Sequence, residues 1–184
     1  MFRLDGKAAL VTGASGGVGD FGVQLAREAG ATVVALVRTA TRAERAKTVG
    51  AHQAVVGPDA TVAAPYGPYH LVFDGVGGEV LASALPLLAP DGTAVAYGRT
   101  VGPTLTFDLG QFFGKGGLSL YGFILFHEVR HGLAGAGLAR LTALVAAQRL
   151  HPYIAVETSW IDIGEVAQHL LDREYPGKAV LLVD

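Results

Sequence analysis

The sequence predicts an α/β fold, a doubly wound parallel sheet of about six strands followed by a C-terminal helix and strand. Three observations carry this. An apolar run, Ala8–Val11, leads through a glycine-rich turn into a helix-periodic segment, and a second apolar run, Thr32–Val37, follows at the distance of a β-α-β unit. Short apolar runs then alternate with helical patterns along most of the chain. Finally, 51% of the residues are hydrophobic and mean hydropathy is +0.40, as a sheet covered on both faces requires.

The first strand is wholly apolar, as expected where both faces are buried. Thr12 to Gly19 holds four glycines in eight residues, a turn too tight for side chains throughout. Val18, Phe21, Gly22, Leu25, Ala26 and Ala29 then fall at helical spacing, and Gly30 stands where a C-terminal cap would. Such a unit sets a helix N-terminus, with its free N–H groups and partial positive charge, at the strand's carboxyl end. That is a site for a diphosphate. The segment Ala14, Ser15, Gly16, Gly17, Val18 and Gly19 approximates G-x-G-x-x-G, with Ala14 in the first glycine's place. The second strand ends at Val37. Arg38 lies nineteen residues past Gly19, and no acid occurs between Ala29 and Arg42. An acid there would hold the ribose of NAD, whereas arginines suit the 2′-phosphate of NADP. Arg38, Thr39 and Arg42 are therefore assigned to the cofactor, which is expected to be NADP(H).

Thr41 is expected to cap a helix to about Val49, with Glu44 completing a capping box. Ala54–Val56 is a third strand, and the proline-bearing run from Gly57 to Tyr69 reads as loop with at most one helical turn. Leu71–Asp74 is the fourth strand, Glu79–Leu88 a helix, Pro90-Asp91-Gly92 a turn and Thr93–Tyr97 the fifth strand. Ligands of such sheets bind beyond the strands' carboxyl ends. Gly75, Val76, Gly77, Tyr97, Gly98, Arg99 and, after a sixth strand at Leu118–Phe123, Phe123 join the candidate site there. A short helix is expected over Phe107–Lys115, helices over Leu133–Leu150 and Ile161–Arg173, extended chain at Ile154–Thr158 and a closing strand at Lys178–Val183. The expected domains are a dinucleotide-binding unit over 1–150 and a helix-strand segment over 151–184.

Composition narrows the function. With 184 residues the chain can bury a real core. Its net charge of -2 comes without a basic stripe, so nucleic acid is not an expected partner. There is no cysteine, hence no disulfide and no thiolate zinc site, and no metal ligand set is assigned. No run of eighteen apolar residues predicts a membrane span, and a cytoplasmic protein is expected.

Val11-Thr12-Gly13-Ala14-Ser15-Gly16-Gly17-Val18-Gly19, Val23-Gln24-Leu25-Ala26, Gly30-Ala31, Phe73-Asp74-Gly75-Val76-Gly77-Gly78, Leu88-Ala89-Pro90-Asp91-Gly92 and Gly177-Lys178-Ala179-Val180-Leu181 together resemble the medium-chain dehydrogenase/reductase superfamily, most closely its zinc-free quinone-oxidoreductase-like branch. The resemblance covers nearly the whole chain from Lys7. It implies an NADPH-dependent oxidoreductase acting on a small quinone, enone or carbonyl substrate. Relatives carry a GroES-like catalytic domain ahead of this region, and this sequence does not contain one. The expectation is therefore either an enzyme whose substrate site is completed by another subunit or chain, or a cofactor domain that binds without turnover. Relatives commonly pair the sixth strand across a dimer. A homo-oligomer, a dimer, is therefore expected in which at least one of that strand and the apolar closing strand is covered by another subunit, the alternative being that the C-terminal segment folds back onto its own sheet.

Two other patterns are set aside. Thr12–Gly19 also fits the short-chain dehydrogenase pattern T-G-x-x-x-G-x-G, but that chemistry needs a Tyr and a Lys four apart. Tyr175 and Lys178 are three apart and stand near the C-terminus. His127-Glu128-Val129-Arg130-His131 matches the zinc-protease pattern H-E-x-x-H, but Gly132 follows at once and no third ligand stands close, so a polar turn is expected. No catalytic acid or base is assigned; Tyr97 and Tyr121 are expected to act as core or supporting residues.

Overall fold

A computed structural model describes residues 3–172, 174, 175 and 177–183. The chain divides into two compact units, residues 1–150 and 151–184, each described by itself.

The first unit is built on a parallel sheet in the order β3-β2-β1-β4-β5-β6. Its strands are β1 (Ala8–Thr12), β2 (Thr32–Val37), β3 (Gln53–Val56), β4 (Tyr69–Asp74), β5 (Leu88–Ala96) and β6 (Ser119–Gly122). This is the strand order of a Rossmann-type doubly wound fold, in which the direction of winding reverses between β1 and β4. Alternate residues feed two cores. Ala9, Val11, Val33, Ala35 and Val37 face one layer with Val23, Ala26, Ala29, Ala43 and Ala46. Leu10, Val34, Leu36 and Val72 face the other with Ala63, Val80, Leu81, Leu85 and Leu88. The runs are continuously apolar because both faces are covered.

Helix α1 (Gly17–Glu28) fills the β1–β2 crossover, and α2 (Ala40–Thr48) the β2–β3 crossover. The buried side of α1 is Gly19, Val23 and Ala26 together with the polar Asp20 and Gln24; Val18, expected on the core face, is exposed at the mouth of the glycine turn. Gly30 has φ +93°, and its N–H bonds the Arg27 carbonyl at 3.0 Å, which ends α1 where the sequence placed the stop. The cap of α2 is corrected from Thr41 to Thr39, whose hydroxyl accepts from the Arg42 N–H at 3.4 Å.

Other differences have local causes. The run Ala60–Tyr66 forms a 3-10 helix because the Asp59 carboxylate accepts from the Thr61 N–H. Helix α3 (Gly78–Ala84) stops four residues early, and Pro86 lies in a 3-10 turn, Leu85–Leu87. The expected turn at Pro90-Asp91-Gly92 lies inside β5, where the register to β4 slips and Asp91 takes φ +59°. After β5 come α4 (Leu109–Phe113), β6, α5 (Leu125–Val129) and α6 (Ala134–Ala146), with only Leu144 buried on α6. The H-E-x-x-H segment, expected as a turn, thus begins as the single helical turn α5.

In the second unit β7 (Ile154–Ser159) and β8 (Lys178–Leu182) pair in parallel around α7 (Ile163–Leu171). The closing strand therefore has β7 as its partner in a sheet of two. Arg173, the expected end of the last helix, lies outside the described residues.

Candidate functional site

The register brings the carboxyl ends of five strands to one edge of the sheet. Thr12 lies beside Leu36, Val11 beside Phe73, Asp74 beside Ala96 and Ala96 beside Gly122. The turn Ala14–Gly16, the residues Arg38 and Thr39 after β2, Gly75–Gly77 after β4, Tyr97–Arg99 after β5 and Phe123 after β6 all follow directly on these ends. Arg42 sits in the first turn of α2. The residues that the sequence assigned to the cofactor thus lie at this edge or, for Gly17, Val18, Gly19 and Arg42, in the first turns of the helices that start from it.

The glycine turn leaves α1 open to an anion. Gly16 is its N-cap and supplies no side-chain acceptor to the first N–H groups of this twelve-residue helix, and Gly16, Gly17 and Val18 are exposed. Gly16 donates its own N–H to the Gly13 carbonyl at 2.9 Å, which closes the turn. A Cβ on Gly19 would lie inside van der Waals contact with the Gly13 carbonyl, and one on Gly22 would come within 2.8 Å of the Phe73 ring. These two glycines bring helix and sheet together. A Cβ on Gly16 would meet only the Gly13 oxygen, at 3.3 Å, and the residue is exposed. It stands on the open side of the turn.

Asp74 organises the centre of the edge. Its carboxylate, 0% exposed, accepts from the Thr12 hydroxyl and, at 2.8 Å, from the Gly77 N–H. Burial pushes this carboxyl above the usual range, and the hydrogen bonds from Thr12, Gly77 and Val76 pull the other way. The loops after β4 and β5 touch backbone to backbone. Tyr97 donates its N–H to the Asp74 carbonyl at 2.8 Å and Val101 to that of Val76 at 3.1 Å, and a Cβ on Gly98 would lie 2.5 Å from the Gly75 oxygen. The Tyr97 ring stacks on Phe73, centroids 4.3 Å apart, and covers Gly75, where a Cβ would meet the ring at 2.6 Å. Burial, and then the nearby Asp74, push the Tyr97 phenol up to about 12. A phenol so placed stays neutral and is not tuned to move a proton near neutral pH.

Arg38 and Arg99 are exposed and Arg42 is half-buried; none of the three forms an ion pair among the described residues. Thr39 spends its hydroxyl lone pair on capping α2. Phe123 is half-buried and held by its N–H to the Ala96 carbonyl at 2.8 Å.

Sequence reasoning missed Asp20. This acid in the first turn of α1 is 5% exposed and binds Gln24 and Arg45. The i,i+4 spacing of Asp20 and Gln24 was visible, but nothing in one sequence says that α2 covers that polar face. Asp74 was read only as a strand end, although an acid closing an apolar strand ahead of a glycine loop is a signal of a loop anchor.

A cradle of glycines at an uncapped helix, at the edge where a doubly wound sheet reverses its winding, defines a dinucleotide-binding α/β protein. The profile of the zinc-binding dehydrogenases matches residues 17–136, well over half of the chain. The chain belongs to that family, and corresponds to the cofactor-binding half of the medium-chain dehydrogenase/reductases. It is 30% identical to an acryloyl-coenzyme A reductase of Metallosphaera sedula over 96% of its own length and 51% of the relative's. A mycobacterial quinone oxidoreductase superposes with a TM-score of 0.86 at 27% identity, over 97% of this chain and 57% of that one. A mycobacterial protein solved with NADPH gives 0.81 at 27% identity, over the same shares. The chain thus spans about half the length of these relatives. The family's name implies zinc, and the residues here do not fit it. Among the described residues no group of three His, Cys, Asp or Glu can hold a metal ion, and His127 and His131, with ring centroids 5.3 Å apart, have no third ligand. No helix among the described residues is long and apolar enough to cross a membrane.

Proposed function

We propose that the chain binds NADP(H) along this edge and serves as the cofactor-holding half of a cytoplasmic reductase of small quinones, enones or carbonyls. The uncapped N-terminus of α1 carries the reading, because its outward N–H groups meet a diphosphate without a side chain in the way. Ser15, Gly16, Gly17 and Val18 line that approach. Arg38 and Arg42, free of ion pairs among the described residues, take the 2′-phosphate. Gly75 to Gly77, held on Asp74, and Tyr97, Gly98, Arg99 and Phe123 border the nicotinamide end and exclude water from it. The bound dinucleotide supplies the hydride; the protein's part is to hold and orient it. Similarity to the acryloyl-coenzyme A reductase and the quinone oxidoreductase supports the substrate class.

The same reading makes the protein a dimer through β6, all of whose residues are exposed. A second reading is a module that binds without turnover. The Tyr97 phenol, pushed up to about 12 by burial, favours it, because a phenol so raised is a poor proton donor near neutral pH. The test is NADPH oxidation against a panel of quinones and enones, with cofactor titration in parallel. Turnover supports the reductase. Binding without turnover on any acceptor supports the module, and absence of binding contradicts both.

A further inference from the structure

We infer that the ion pair between Asp20 and Arg45 is a positioning device for cofactor selectivity, holding α2 so that Arg42 and Arg38 meet the 2′-phosphate. The inference rests on the NADP(H) reading above.

Asp20 lies one turn into α1 and Arg45 in the last turns of α2. Arg45 reaches the carboxylate with two nitrogens, Nε to Oδ1 at 3.1 Å and Nη2 to Oδ2 at 3.4 Å, and Gln24 Nε2 donates to Oδ2 at 2.8 Å. The Asp20 side chain is only 7% exposed. Burying an acid costs free energy that its partners must offset, and an apolar pair commonly holds two helices equally well or better. What a forked ion pair adds is geometry. Geometry is what the rest of this contact lacks. On its core side α2 presents Ala43 and Ala46, in the same layer as Ala26 and Ala29 of α1. Alanine side chains are small and interlock little, so the fork supplies the directional contact between the two helices.

The register follows. Both helices run back from the carboxyl edge of a parallel sheet, so they point the same way. With Arg45 held on Asp20, Arg42, one turn nearer the N-terminus of α2, stands on the side of the pair that faces the carboxyl edge and the opening of α1. Arg38 enters the same helix through the Thr39 cap. Asp20 also spends the charge of Arg45, leaving Arg38 and Arg42 as the two cations of this helix entry without an ion pair among the described residues.

The experiment titrates NADPH and NADH into the full chain at one salt concentration, for the wild type, Asp20→Asn, Arg45→Met, the double variant and Arg42→Ala. Each single change at the pair is expected to lower the preference for NADPH about tenfold, with NADH affinity held within about twofold, and the double variant to lose no more than either single. If Asp20→Asn does not fold, Arg45→Lys replaces it. It keeps both charges, gives up the fork, and is expected to lower the preference about threefold. Equal weakening of both cofactors means that the pair merely stabilises the fold and overturns the inference. So does a rise in NADPH affinity from a released Arg45. If Arg42→Ala abolishes the preference while Asp20→Asn keeps it, the inference fails and the NADP(H) reading stands. Equal affinity of the wild type for both cofactors overturns the two together.

Discussion

Strands β1 and β6 belong to one sheet and live in opposite surroundings. Four of the five residues of β1 are buried and the fifth, Ala8, half-buried, with Leu10 at 0% exposure between two layers of side chains. All four residues of β6 are exposed, Leu120 at 41%, and the helical turn that follows presents Phe126 at 80%. The half of the sheet that carries the glycine turn is complete within the chain. The half around β6 shows exposed apolar side chains and, among the described residues, a backbone edge that no further strand pairs. The glycine turn thus stands on the covered part of the sheet, and the strand that leads to Phe123 on its exposed part.

That contrast can be measured. Leu10→Ala should cost about 2–5 kcal/mol in urea unfolding, whereas Leu120→Ala, followed at low protein concentration, should stay within about 0.5 kcal/mol. Similar losses at both positions would mean that β6 is already buried in solution. Next in size is Gly16→Val. Its backbone is extended and its added side chain meets little of the protein, so the unfolding midpoint should hardly move. NADPH affinity should fall at least tenfold, about 1.4 kcal/mol, because the side chain enters the phosphate's place. Unchanged affinity would put the phosphates elsewhere. The smallest effect concerns pH. His52 Nδ1 accepts from the Val33 N–H at 2.9 Å, and burial, then the neighbouring Arg27, hold this imidazole below its ordinary 6.5. The fold therefore favours neutral His52. Its contribution is present above pH 6.5 and is lost as pH falls through that value toward the lowered one. His52→Gln should flatten the acid side of the stability profile; a variant that tracks the wild type below pH 6.5 would show that this bond contributes nothing.

Legibility in the sequence followed the same divide. Ala8–Val11, the glycine turn and Gly30 were readable because local rules and tertiary packing agree there: continuous apolar strands for two covered faces, glycine where φ turns positive. Pro90-Asp91-Gly92 misled because turn residues also serve a bulge, and only pairing with β4 tells the two apart. The segment from His127 forms a helical turn despite the glycines after it, and its tyrosine partner, Tyr121 to Glu128, spans a strand and a loop. Among the candidate site residues, those that follow directly on strand ends could be placed at the carboxyl edge from spacing. The Asp20–Arg45 pair and the Thr12–Asp74 bond join residues 25 and 62 positions apart, and no periodicity reports on such pairs.

The most direct measurement is an equilibrium titration of the full chain with NADPH and with NADH at moderate salt. Two guanidiniums beside the 2′-phosphate, each charge-assisted contact contributing about 1.5–3 kcal/mol, predict NADPH binding at least tenfold tighter than NADH. Equal affinities, or no binding of either, would contradict the assignment of this edge to NADP(H).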